Sequence, residues 1–461
     1  AGGVLYWQAR YLPSLKGGIS EYIIVSLVQF SLYLGACYLV LRDRGSLWAG
    51  AGRWAKLAAL SIVLLVAASF RAELVDQPPY LSSDVYRYIW DGRVQAAGIN
   101  PYRYVPSAPE LADLRDDAIY RYINRREFAH TIYPPVAQAI FLGVNLISPS
   151  SVRGFKIAMS LFDLAAIAAI MLALWRSGLA PIQAIVFAWH PLLIWESAHS
   201  GHIESAALAF LAAALLAWSY KKPALTGAAI ALATLVKVYP ALLLPVFMMS
   251  GVAGSSERRG QEGRSTPGGR LARLRAICLC KSNLRMLAAF AATVLLAYVP
   301  YLTVGSGVTG YLSGYLREEG FVDSGNRYFL LGLVREVANV PAVLYSAVAA
   351  LVLGWFALRA LLLHKRTAAD VAGVATSMVG LFLVLSSPRY SWYVAWIIPF
   401  LCFVPRAGWL YLSGASVLLY LLWLTDGHPG VPLWLGAALY LPALVLLIGE
   451  HWKLRSETVS G

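Results

Sequence analysis

The sequence predicts an all-α, polytopic transmembrane helical bundle of about 12–14 membrane segments, with a large first outer loop. Three observations carry that prediction. The 461 residues are 59% hydrophobic and 13% charged, whereas soluble chains average about 25% charged residues. Apolar runs recur from Ile19 to Ile448, so the chain reads as one domain over 1–461. The 38 Lys plus Arg, against 24 Asp plus Glu for a net charge of +14, lie mostly in the connections between those runs. A soluble enzyme, a disordered tail and a β-barrel are excluded. The basic excess reports cytoplasmic loops and gives no reason to expect nucleic acid. The four cysteines form no disulfide or zinc pattern.

Backbone polar groups in lipid must be satisfied within a helix, so each apolar run is expected to be helical. The clearest spans are 19–41, 57–70, 155–175, 203–218, 286–302, 342–363, 371–385, 410–424 and 431–448. Shorter candidates cover 132–147, 182–195, 224–236, 241–249 and 393–404. Lys and Arg in short loops mark the cytoplasm. Arg42, Arg44, Arg53 and Lys56 place the first connection inside, and Lys221/Lys222, His364/Lys365/Arg366 and Lys453/Arg455 mark further inner edges. The Arg-rich, Gly- and Ser-containing stretch 251–285 reads as a flexible cytoplasmic loop, with an anionic-lipid patch as its functional alternative. The connection 73–131 holds nine acidic and seven basic residues, which places it outside, as is the loop 305–331. Parity then fails once, between Trp175 and Glu196, where one segment must be re-entrant or paired.

Polar clusters interrupt the apolar sequence. If the outer loop is helical from Asp84, then Asp84, Arg87 and Asp91 share one charged face. That face is either a solvated helix with an ion pair worth a few tenths of a kcal/mol or part of a site. His199, His202 and Glu204 sit between two spans, as metal ligands, cavity lining or helix-end groups. Lys237 lies alone in an apolar run, where insertion costs about 2.5–3.5 kcal/mol, so it either snorkels or meets an anion. Arg327 belongs to a polar turn of the second outer loop. Arg389, Trp392 and Tyr393 lie where one span closes and another opens, and interfacial Trp and Tyr are also ordinary belt residues. Together the carboxylates, histidines and cations can join a hydroxyl nucleophile to a phosphate-bearing substrate.

Several motifs in order resemble the GT-C superfamily of integral-membrane glycosyltransferases. They are Asp84-Val85-Tyr86, Gly98-Ile99-Asn100-Pro101-Tyr102, Thr131-Ile132-Tyr133-Pro134-Pro135, His190-Pro191 with Gly201-His202-Ile203-Glu204-Ser205, Lys237-Val238-Tyr239-Pro240 and Trp392-Tyr393-Val394-Ala395-Trp396. The likeness runs from Asp84 to about Pro399. It is nearest to polyprenol-phosphate-mannose-dependent mannosyltransferases, including the catalytic subunit of GPI mannosyltransferase I and bacterial glycosyltransferase family 87.

The resemblance implies an inverting transferase. It would move a sugar, mannose above all, from a polyprenyl-phosphate donor to a lipid or glycan acceptor on the non-cytoplasmic face; the Arg-rich loop and the Ala/Leu-rich spans point separately to a bacterial inner (plasma) membrane. It implies Asp84 as general base and Lys237, Arg327 and Arg389 as donor-phosphate ligands. Arg87, Asp91, Tyr133, His199, His202, Glu204, Tyr239, Trp392 and Tyr393 would bind sugar or acceptor. Expected partners are the donor, the acceptor and membrane lipids. No cofactor is assigned: the eukaryotic relatives carry Asp-x-Asp where this chain has Ser82-Ser83-Asp84, so divalent-metal dependence stays open. A transporter or lipid flippase is the alternative from another class, and a glycan polymerase or ligase the second enzymatic one.

Overall fold

The computed structural model describes residues 18–42, 46–248, 270–321, 327–363, 365, 367–424 and 430–460. The described residues form helices and loops without a strand. Seven described helices, counting one interrupted stretch from Lys281 to Glu318, are long and apolar enough to cross a bilayer, with shorter apolar helices among them. This is the all-α, polytopic architecture expected of the composition, and the chain is an integral membrane protein. Arg44, residues 251–269, Asp323 to Asn326, His364 and Arg366 lie outside the described residues.

Helix α1 (Ile19–Arg42) and helix α2 (Arg53–Ala72) run antiparallel between two ends of the bundle. The end that carries Asp84 also holds the connection from Glu73 to Pro134. There α3 (Asp84–Ala96) packs along α4 (Pro135–Ile147). The approach is close because Gly92 has no side chain: a Cβ there would collide with the Phe141 backbone oxygen. Gln95 donates to the Gln138 side chain at 2.9 Å, and the amides of Val136 and Ala137 donate to Leu235 O. At the far end of α4, Arg93 donates to Ser150 Oγ.

Both ends of α4 are thus tied to the Asp84 end, and the next helix, α5 (Val152–Arg176), starts there as well. Arg153 pairs with Asp76, and Lys156 donates to Leu74 O at 2.9 Å. The expected short span 132–147 is therefore not a crossing.

This correction removes the parity failure. The stretch from Pro181 to His199 returns from the opposite end as one interrupted crossing, built of short helical pieces and a π-turn over Trp195–His199. Pro191 lacks an N–H and breaks the ladder. The Leu192 amide turns to His190 Nδ1 at 3.2 Å, which leaves the Ala188 carbonyl without its usual helical donor. Arg71, buried at the end of α2, supplies one: it donates to Ala188 O at 3.0 Å and to Asp163 at 2.9 Å. Gly201 then takes a left-handed φ of 69°, and the chain reverses into α6 (Glu204–Ser219), followed by α7 (Pro223–Thr234).

Beyond Tyr239–Phe247 the described chain resumes with α8 (Arg270–Leu279) and α9 (Lys281–Tyr298). The basic stretch is therefore helical from Arg270 on, with a break at Cys280, and the loop expectation fails there; Lys281 opens the next crossing. Helix α10 (Leu312–Glu318) returns over the Asp84 end. Helices α11 (Ala342–Leu362) and α12 (Ala368–Ser386) follow, the second opened by a capping box in which Thr367 and Asp370 satisfy each other's amides. Short helices over Ser391–Leu401 and Ala407–Trp423, and α13 (Leu433–Ser460), complete the bundle. Arg53, Lys56, Arg176, Lys221, Lys222 and Lys365 collect at the end opposite Asp84. There the Arg176 guanidinium lies 5.1 Å from the Tyr220 ring and Lys365 donates to Ala360 O at 2.8 Å.

Replacing Gly92 by Val should wedge α3 from α4, cost about 1–3 kcal/mol and lower the melting temperature. An unchanged melting curve would contradict the packing described.

Candidate active site

Two cavities meet at the Asp84 end. The first, about 180 Å3, is the more polar of the two and is lined by Asp84, Arg87, Asn124, Arg125, Tyr390 and Trp392, with Tyr311 at one side. The second, about 460 Å3, is an apolar groove bounded by Val238, Tyr239, Leu242, Leu316, Phe382 and Trp396. Ile132, Tyr133, Lys237, Tyr315 and Tyr393 line both. The junction is therefore a cation among tyrosines.

Asp84 opens α3 with its carboxylate half-buried in the polar cavity. Its amide donates to Ser82 Oγ at 3.2 Å, and Asn124 donates to its Oδ1 at 3.3 Å. Lys237 follows α7, in the turn before Tyr239. Its Nζ lies 2.9 Å from Glu204 Oε1 and 5.5 Å from the ring centres of Tyr133 and Tyr393. Tyr239 stacks on Trp396 at 3.5 Å, nearly parallel, to form a groove wall.

Helix α10 lies across both cavities. The Tyr315 and Tyr393 hydroxyls are 2.7 Å apart. Arg125 pairs with Glu318 at 2.5 Å and reaches Glu319 at 3.8 Å, latching α10 onto the connection from Glu73 to Pro134. Burial alone would lower the pKa of Arg125, but the Glu318 carboxylate outweighs it and raises it. Tyr390, which donates to Glu319 at 3.0 Å, has its hydroxyl pKa raised by burial and then by the Glu319 charge.

The expected site residues divide. Asp84, Arg87, Tyr133, Lys237, Trp392 and Tyr393 line the polar cavity, while Tyr239 and Arg327 line the groove. Arg327 is spent on protein partners: it donates to Glu319 O and Ser386 O, and lies 3.6 Å from the Phe321 ring centre. Arg389 lines neither cavity.

Asp91 is not on a solvated face. It is buried, and it accepts from Arg87 at 2.8 Å, Thr131 at 2.5 Å and Gln138 at 3.0 Å. It anchors Arg87 without lining the cavity itself. His199 is packed edge-on against Tyr80, ring centres 4.3 Å apart, and His202 bonds Glu196 at 2.8 Å. The two imidazoles thus meet different partners. Among the described residues no group of three or more His, Cys, Asp or Glu could hold a metal ion.

Glu196 has no place among the expected residues. It is buried, and besides His202 it accepts from Ser391 at 2.9 Å and Tyr420 at 3.0 Å. It thereby ties three elements together behind Trp392, whose ring centre lies 4.2 Å from that of His202. A carboxylate inside an apolar run was the available signal, of the same kind as Lys237.

Truncating Lys237 to Met should leave Glu204 buried without a counter-charge. Breaking a buried pair from one side costs about 3–5 kcal/mol, so the variant should melt earlier. Adding Glu204→Gln should restore most of the loss. Strictly additive losses in the double variant would show that the two groups do not interact.

A comparison with curated proteins finds no match. The model of the MptA_B family, described as alpha-(1->6)-mannopyranosyltransferase, N-terminal domain, matches residues 8–253, more than half of the 461 residues. The matched stretch contains Asp84, Glu204 and Lys237, and the match agrees with the resemblance to GT-C mannosyltransferases. The chain belongs to the MptA_B family and is a membrane glycosyltransferase.

Proposed function

We infer that the protein is an inverting mannosyltransferase that uses polyprenyl-phosphate mannose as donor and forms an α-(1→6) linkage on a lipid or glycan acceptor. The observation that supports this most is the meeting of a polar cavity and an apolar groove at Lys237. A polyprenyl phosphate has the same division, an apolar chain ending in an anion. An α-linked product formed by inversion requires a β-linked donor.

In this reading the prenyl chain lies in the groove against Tyr239 and Trp396, the phosphate meets Lys237, and the sugar occupies the polar cavity. Asp84 takes the proton of the acceptor hydroxyl as that oxygen attacks C1 of the mannose. The bond from C1 to the phosphate oxygen breaks and its electron pair stays with the phosphate. The phosphate is a good leaving group, so no separate general acid is needed. Arg87, held by Asp91, together with Trp392 and Tyr393, lines the sugar and acceptor space. Lys and Arg at the opposite end of the bundle support a cytoplasmic location for that end. The cavities then face the exterior of an inner membrane, where lipid-linked donors replace nucleotide sugars.

The experiment is transfer of radiolabelled mannose from polyprenyl-phosphate mannose, by protein in nanodiscs, to a membrane lipid extract. Wild type should label a glycolipid and Asp84→Asn should lose at least about 100-fold of the rate. An active Asn variant would sink the base assignment. No transfer by wild type would sink the donor. Lys237→Met should raise the donor KM about tenfold with a smaller effect on kcat, since it removes a charge-assisted contact present before the chemistry. An unchanged donor KM would return Lys237 to a purely structural part.

A further inference from the structure

Glu204 lines neither cavity, yet it faces a cation that lines both. Its carboxylate is buried and lies 2.9 Å from Lys237 Nζ. Among the described residues neither of its oxygens has a hydrogen-bond partner, so its contact with Lys237 is an ion pair by distance. The arrangement is one-sided. Glu204 stands behind the ammonium, at the first residue of α6, while Tyr133 and Tyr393 flank it, their ring centres each 5.5 Å away. An ammonium has three N–H donors, so an ion pair with one carboxylate leaves it able to donate to an anion at the junction.

We propose that Glu204 is a positioning residue acting through Lys237: it fixes the ammonium at the junction of the cavities and opposes its charge, so that the spent lipid phosphate is released. The proposal rests on the polyprenyl-phosphate reading above.

The charge balance of the reaction is the reason for the second role. In the donor the phosphate is a diester with a single negative charge. Transfer breaks the bond between C1 and the phosphate oxygen, the acceptor oxygen bonds to C1, and the acceptor proton passes to Asp84. The leaving group is then a phosphate monoester, whose second ionisation near pH 6 gives it between one and two charges at neutral pH. An unopposed ammonium in a water-poor pocket would hold that product more tightly than the donor, since attraction scales with charge and rises as the local dielectric falls. A carboxylate 2.9 Å from the ammonium repels the more highly charged product more strongly than the donor, and so narrows the difference.

The test compares wild type, Glu204→Gln and Glu204→Asp in nanodiscs with polyprenyl-phosphate mannose as donor and polyprenyl phosphate as inhibitor. In Glu204→Gln the inhibition constant for polyprenyl phosphate should fall about tenfold, and steady-state turnover should fall by a similar factor. Single-turnover transfer should change less than about twofold. Glu204→Asp keeps the charge at a longer reach. Its inhibition constant should fall between the other two, and it carries the test if the Gln variant does not fold. In a Lys237→Met background, Glu204→Gln should leave product inhibition where Lys237→Met alone puts it. Equal losses in single-turnover and steady-state rates, with an unchanged inhibition constant, would overturn the proposal. Wild-type transfer with product inhibition insensitive to Glu204 would sink only this role. Absence of wild-type transfer would sink the donor reading and the proposal with it.

Discussion

Inside a bilayer no water can satisfy a broken helix, so every interruption needs a partner supplied by the protein. The break at His190-Pro191 meets that demand through Arg71, which reaches across from α2 to the Ala188 carbonyl while paired to Asp163. Much of the site depends on this arrangement. The break lets the crossing end in a π-turn, a feature frequent at functional sites. The π-turn holds Glu196 and leads to the reversal at Gly201, which delivers Glu204 to Lys237. Buried pairs such as Arg71–Asp163 add little net stability over apolar packing, because desolvation offsets their attraction. Their effect here is on geometry: they allow an irregular backbone where a continuous helix would carry no site.

The polar cavity is assembled from segments far apart in sequence, and electrostatics keeps them together. Asp91 gathers Arg87, Thr131 and Gln138; Glu196 gathers His202, Ser391 and Tyr420; Glu318 and Glu319 gather Arg125 and Tyr390. Each is a carboxylate whose oxygens take donors from separate elements. The connection from Glu73 to Pro134, the interrupted crossing and the segment that carries α10 therefore share one frame. Asp84 stands apart from these hubs: its carboxylate accepts from a neutral donor, Asn124, and faces the cavity.

The class of the fold was legible because it follows from composition and from charge in short loops, which are local properties. Lys237 was legible for the same reason, since one cation in an apolar run stands out without any knowledge of its neighbours. Helix α4 reads as a span because its residues are apolar, whereas the contacts of Arg93, Arg153 and Lys156 that keep its far end at the Asp84 end reach across the sequence. The local spacing of Asp91 from Arg87 leaves a solvated ion pair and a site residue both open, whereas its burial depends on Thr131 and Gln138, which are 40 and 47 residues away. Glu196 draws its partners from 195 and 224 positions further along the chain. No periodicity within one segment can announce such partners. The two histidines suggested convergence by their spacing, but the π-turn and the reversal at Gly201 turn them to different neighbours.

The groove beside Lys237 has Val238 and Leu312 exposed at its rim. A substrate that enters sideways from the bilayer never passes through water, so bulk concentration is not the quantity that fills the groove. For the lipid-linked donor proposed above, the governing variable would be mole fraction in the surrounding leaflet: the same number of donor molecules diluted into more lipid becomes less substrate. Rates would then scale with the composition of the membrane rather than the volume of the compartment, and growth of the envelope would itself retune the flux.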